Sequence, residues 1–201
     1  MKDAAKTLIN IMNRLPKTSI WHNMETGQYM RVILRMLDMK HLEKSLMWEG
    51  LSPFDFHDIG KVLLPVELND YRALYSDEQR LRAMAHVDYG QHVFSRMREQ
   101  APEAADFCFA AEQIALYHHE CFDGSGYPDG LAGKEIPFLA RVCAVANSFT
   151  GLRSGHGVFT RNSVVKSLDA IAKRSGTFFD PDIVDVFVKH TRLEQIGRAH
   201  V

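Results

Sequence analysis

Two doublets, His57-Asp58 and His118-His119, constrain what this chain can fold into more than any other feature. Imidazole nitrogen and carboxylate oxygen together suit iron, manganese or zinc, and a carboxylate set between two ions can bridge them. The second doublet is followed by Asp123-Gly124-Ser125-Gly126-Tyr127-Pro128, where glycines and proline break any helix into a loop. Behind the first comes Ile59-Gly60-Lys61.

The apolar residues recur at helical spacing. Leu8, Ile9, Met12 and Leu15 form one stripe ended by Pro16, and Ile33, Leu34, Leu37 and His41 continue the period in a second segment. Ser76 with Gln79 reads as a capping box, opening a helix through Leu81 and Met84 towards Phe94 with His86 on or beside its stripe. Pro102 starts a helix that carries Cys108, Ala111 and Ala115 and puts His118 and His119 on the buried side of its end. Pro137 opens another, on which Leu139, Cys143, Ala146, Asn147 and Thr150 share a face, so Asn147 points inward. Thr160 caps a helix with Val164, Leu168 and Ile171, and Asp180-Pro181 starts one with Ile183, Val184 and Phe187. Strand signals are weak throughout. The expectation is an all-α single domain, a bundle of about seven helices with a glycine-rich loop.

Lys and Arg (24) nearly balance Asp and Glu (25), which argues against nucleic-acid polymers as partners. No apolar run approaches the ~20 residues that span a bilayer, and no signal-peptide core is present. The three cysteines, at 108, 121 and 143, have no regular spacing and read as reduced thiols, so the expected compartment is the cytoplasm. Ile196 to Val201 matches what a common sequencing-library adaptor encodes in frame. The tail 195–201 is therefore read as an artefact that cuts the natural chain near Glu194.

From about Glu25 to about Asp182, and above all in His57-Asp58-Ile59-Gly60-Lys61 and His118-His119 with the Asp123 to Pro128 loop, the chain resembles the HD-GYP family of bacterial cyclic di-GMP phosphodiesterases. The resemblance implies an HD-GYP domain over 25–194, preceded by an N-terminal helix and lead-in over 1–24. It implies hydrolysis of cyclic di-GMP to pGpG or GMP at divalent ions, iron or manganese. His57 and Asp58 match ligands of the first ion; Asp58 as bridge, His86, His118 and His119 match those of the second. Lys61 matches the lysine near the scissile phosphate, and Glu25 an acidic ligand of members with a third metal; an exposed helix carboxylate is the bland alternative for Glu25. Asp123, Gly124, Gly126, Tyr127 and Pro128 match the loop that meets nucleotide or a partner protein such as a GGDEF-type cyclase.

Three departures accompany the match. Tyr29 stands where the family's early histidine is expected, and Asn147 where its late aspartate is; both would weaken the first ion, leaving one tight and one weak. His156-Gly157-Val158-Phe159 replaces a basic phosphate-binding tetrad, with Arg153 and Arg161 nearby. A catalytically degenerate domain that senses nucleotide or holds a partner is thus the rival function. His22, His41, His92, His156, His190 and His200 are read as core or surface residues.

Overall fold

The computed structural model describes residues 2–69, 75–154 and 162–199, with side chains to 193. Among these are nine α-helices: α1 Asp3–Met12, α2 Lys17–Met36, α3 His41–Leu46, α4 Asp77–Met84, α5 His86–Gln100, α6 Ala105–Tyr117, α7 Phe138–Ser154, α8 Val164–Ala172 and α9 Pro181–Ala199. Isolated bridges are the only β pairing among the described residues. The fold is all-α as expected.

Two expected helices are each divided. α2 stops at Met36 because the chain turns through Asp38 at φ 57, so His41 opens α3 rather than extending the stripe of Ile33 and Leu34. The capping box of Ser76 and Gln79 forms, but its helix does not run to Phe94. It breaks at Ala85, and His86 begins α5 with Nδ1 2.7 Å from the Ala83 carbonyl oxygen. That break turns His86 inwards. α8 is capped by Ser163, whose hydroxyl accepts from the Lys166 amide at 3.3 Å; Thr160, the expected cap, lies outside the described residues.

The apolar side chains gather in two clusters. Met30, Ile33 and Leu34 of α2 pack with Val142 and Phe149 of α7, Leu168 of α8 and Ile183 and Phe187 of α9. Leu8 and Met12 of α1 pack with Phe94 of α5 and Phe107 and Cys108 of α6. Residues ahead of 25 thus enter a core directly, and α2 runs unbroken across that position. The short 3₁₀ turn Pro53–Phe56 joins the clusters: Phe54 enters the first and Phe56 the second. Arg31 of α2 grips this turn by a fork on Asp55, at 2.9 and 2.7 Å, and also pairs with Glu43. Such a bidentate, part-buried pair fixes direction as well as distance. The doublet His57-Asp58 therefore emerges at the seam of the two clusters.

Gly60 explains how α5 comes so near. A Cβ there would lie 2.0 Å from the His86 carbonyl oxygen and 2.4 Å from the Gly90 amide nitrogen, both backbone atoms. Gly60→Ala must push α5 away from the doublet, at a cost of about 3 kcal/mol. We expect a fall of several degrees in the thermal midpoint, since α5 must move as a unit. An unchanged midpoint in differential scanning calorimetry would contradict this packing. No helix among the described residues is long and apolar enough to cross a membrane.

Candidate metal centre

Asp58 is buried at the seam, and its backbone amide donates to Asn23 Oδ1 at 2.9 Å. Asn23, itself buried on α2, donates in turn to the Ser19 carbonyl, so α2 sets the height of the doublet. The two oxygens of Asp58 face different histidines. Oδ1 lies 3.2 Å from His86 Nε2 and 3.6 Å from His118 Nε2; Oδ2 lies 3.5 Å from His57 Nε2 and 4.0 Å from His22 Nε2. Two groups of potential ligands result, Asp58 with His86, His118 and His119, and Asp58 with His22 and His57; within each, the ligand atoms lie within 4.8 Å of one another.

Hydrogen bonding shows that a cation fits. His86 Nδ1 sits against the Ala83 carbonyl, and His118 Nδ1 against those of Ile114 and Ala115 at 3.1 and 3.0 Å. A carbonyl only accepts, so each Nδ1 carries a proton, and in the neutral ring each Nε2 presents its lone pair. Those lone pairs point at a carboxylate oxygen and find no hydrogen bond, and buried His57 has none on either nitrogen. Acceptor facing acceptor in a buried site is unfavourable unless a positive ion lies between them. Burial, chiefly, lowers the pKa of His57, His86 and His119, which favours the neutral, ligating imidazole. For Asp58, burial pushes upward, but its neighbours, the Lys61 ammonium first among them, hold the carboxyl well below its usual range. The donor set of imidazoles around one carboxylate suits a divalent metal.

His22 is the residue that sequence reasoning missed. Its sequence context reads as a core or surface residue, yet it lies buried beside Asp58 with Nε2 2.8 Å from Asn147 Oδ1. Tyr29, expected at an altered ligand position, instead packs edge-on against Phe149 with ring centroids 4.8 Å apart. Burial, then the Glu25 carboxylate, pushes its phenol up, so it stays neutral. His22 is two helical turns ahead of Tyr29 on the same helix, so α2 brings His22 to Asp58 and turns Tyr29 to Phe149. His22 is the one histidine on that helix, and a search of the same face would have flagged it. Glu25 is half-buried and lies in neither group of potential ligands among the described residues.

Asn147 does point inward, from α7, as expected. Lys61 Nζ lies 2.6 Å from Asp58 Oδ2. Above these residues opens a cavity of about 610 Å³, lined by His22, Asp58, Lys61, His118, His119 and Asn147. Its size is within the range of small-molecule sites.

The loop 120–130 forms one wall. Tyr127 stacks on His119 with ring centroids 4.8 Å apart and an interplanar angle of 17°. Buried Glu120 accepts from the amides of Asp129 and Gly130 at 2.8 and 3.0 Å, and Asp123 accepts from the Ser125 amide and hydroxyl at 3.0 and 2.6 Å. Gly126 permits the closure: a Cβ there would sit 2.3 Å from the Cys121 amide nitrogen. Tyr127, Gly126 and Ser125 line the cavity, whereas Asp123 and Pro128 are exposed. Burial raises the pKa of the Cys121 thiol, which keeps it unreactive, and all three cysteines are free.

His156 to Phe159 and Arg161 lie outside the described residues. Arg153 donates to the Asn162 carbonyl at 2.6 Å and does not line the cavity. His92 and His190 are exposed and bond carbonyls of their own helices, in keeping with a surface role. The rest of the lining, including Ser148, Leu152, Ile171, Arg174 and Phe178, was not foreseen from the sequence.

A sequence model described as the HD domain matches residues 6–183. The chain belongs to the HD domain family. Within it, the two doublets and the glycine-rich loop match the HD-GYP branch. It is 29% identical over 200 residues to "3'3'-cGAMP-specific phosphodiesterase 2" of Vibrio cholerae serotype O1, covering 94% of this chain and 35% of that protein. It is 33% identical over 141 residues to "Cyclic di-GMP phosphodiesterase response regulator RpfG" of Xanthomonas campestris pv. campestris, covering 70% and 36% respectively. It is 26% identical over 186 residues to "Cyclic di-GMP phosphodiesterase" of Thermotoga maritima, covering 90% and 49%. The HD domain chain thus spans half or less of the length of these relatives. Its fold resembles that of the HDG"Y"P protein Bd1817 of Bdellovibrio bacteriovorus, with TM-score 0.64 and 18% identity over 94% of this chain and 57% of that one. A cyclic GMP-AMP specific phosphodiesterase of V. cholerae gives TM-score 0.54 at 20% identity over 85% and 44%.

Proposed function

We propose that this HD-GYP domain is a metal-dependent phosphodiesterase that hydrolyses cyclic di-GMP to pGpG, and onward to GMP, in bacterial cytoplasmic signalling. The observation that carries the reading is Asp58, whose two oxygens address separate histidine pairs on the floor of a nucleotide-sized cavity. Asp58, His86, His118 and His119 would hold one ion tightly. His22, His57 and Asp58 would hold a second more weakly, because Asn147 offers a neutral amide oxygen that already pairs with His22. Two such ions, iron or manganese as the resemblance to the HD-GYP family implies, would supply an acidified water and neutralise charge on the phosphoryl oxygens.

The chain's own residues do the rest. Lys61 brings an ammonium to the cavity floor, where it favours the negative charge that develops on the phosphoryl group. Stacking on His119 holds Tyr127 as a fixed wall, so the ring can orient a nucleotide without losing freedom on binding. The relatives' names support cyclic dinucleotides as the substrate class.

Asn147 favours one alternative, a binding module without catalysis. In that role the exposed Asp123 and Pro128 of the loop would meet a partner such as a GGDEF-type protein. Incubation of cyclic di-GMP with protein loaded with Mn²⁺ or Fe²⁺, followed by chromatography, separates the two. The enzyme yields pGpG; intact nucleotide in the presence of metal-loaded protein would leave the binding module.

A further inference from the structure

Resting on the phosphodiesterase reading, we propose that Arg174 and Phe178 form a guanine-recognition shelf on the wall of the cavity beside the loop, whose Phe122 and Asp123 amides donate to the Phe178 and Thr177 carbonyls at 3.2 and 2.8 Å. Both side chains line the cavity, and both come from the turn after α8. That turn is rigidly built. The Arg174 carbonyl accepts from the amides of Thr177, Phe178 and Phe179 at 3.3, 3.0 and 3.2 Å and from the Thr177 hydroxyl at 3.0 Å. Gly176 at φ 78 makes the reversal possible. The Arg174 side chain and the Phe178 ring are thereby presented from one closed loop.

The guanidinium lies over the Phe178 ring, 4.8 Å from its centroid. Among the described residues it has no carboxylate or carbonyl partner, unlike Arg31, Arg141, Arg153 and Arg192, each of which is hydrogen-bonded. Phe178 remains 43% exposed although large and apolar. An aromatic ring fixes the plane of a guanidinium and leaves its in-plane N–H groups for a ligand. The neighbouring lining is otherwise apolar at Leu152, Ala170, Ile171 and Phe179.

The pattern of N–H groups selects among bases. Guanine presents O6 and N7 as two adjacent acceptors that match the guanidinium fork, whereas adenine presents N7 beside an N6 donor. One matched pair of this kind discriminates by about 1–3 kcal/mol, or roughly five- to 150-fold. Cyclic di-GMP should therefore be preferred to cyclic di-AMP by about tenfold or more.

Isothermal titration calorimetry of both nucleotides against the protein and its Arg174→Ala, Arg174→Lys and Phe178→Leu variants tests the shelf. We expect Arg174→Ala and Arg174→Lys to reduce the preference to below about threefold, since lysine keeps the charge but loses the fork. Phe178→Leu should weaken cyclic di-GMP more than cyclic di-AMP. A preference that survives in both Arg174 variants overturns the shelf, even if cyclic di-GMP is hydrolysed. A guanine preference that depends on Arg174 in a protein that hydrolyses nothing upholds the shelf and removes the enzymatic reading. Failure of the unaltered protein to bind either nucleotide removes both.

Discussion

Asp58→Asn is expected to abolish hydrolysis of cyclic di-GMP and leave the purified protein nearly free of metal. One carboxylate serves both histidine groups, so its loss removes an anionic ligand from two positions at once. The amide preserves shape, and the two apolar clusters do not include this side chain, so the helical signal should persist. Two-ion chemistry contributes several kcal/mol to such reactions, and the rate should fall by at least about a thousandfold. Mass spectrometry of the metals, circular dichroism and product chromatography on the same sample give all three readouts. Residual activity within tenfold of the parent would show that Asp58 does not bridge.

The second large effect runs the other way. Asn147→Asp places a carboxylate 2.8 Å from His22 Nε2, where a neutral amide now sits, and should raise occupancy of the weaker position. We expect hydrolysis at limiting metal to rise roughly tenfold or more. Tyr29→His should give no such gain, because that side chain points to Phe149 rather than to Asp58. Metal titrations of the two variants distinguish them, and a gain from Tyr29→His alone would show that position 29, and not His22, serves the weaker ion.

These two variants mark where the sequence was informative and where it was not. The all-α class was legible because apolar residues at helical spacing and the prolines at 16, 102, 137 and 181 agree with one another. The breaks at Asp38 and Ala85 were not, since no proline or glycine marks either and both depend on backbone angles set by packing. Paired doublets announced Asp58, His118 and His119, because adjacent ligands in one short segment are rare by chance. His86 needed the resemblance, and the structure joins it to His118 through Asp58 Oδ1. His22 failed for the opposite reason: alone on a helix, its meaning depends on which residue of α7 lies across from it, a tertiary fact. Arg174 and Phe178 are adjacent only because Gly176 reverses the chain, and a single arginine after a helix carries no local signal.

Metal content against hydrolysis, measured as Mn²⁺ is titrated into protein first dialysed without chelator, bears most directly on the bridged centre. The geometry predicts one ion per chain retained through dialysis at Asp58, His86, His118 and His119, and hydrolysis of cyclic di-GMP that rises only as a second ion fills the position at His22 and His57. Full activity at one ion per chain, or a protein that retains none, would contradict it.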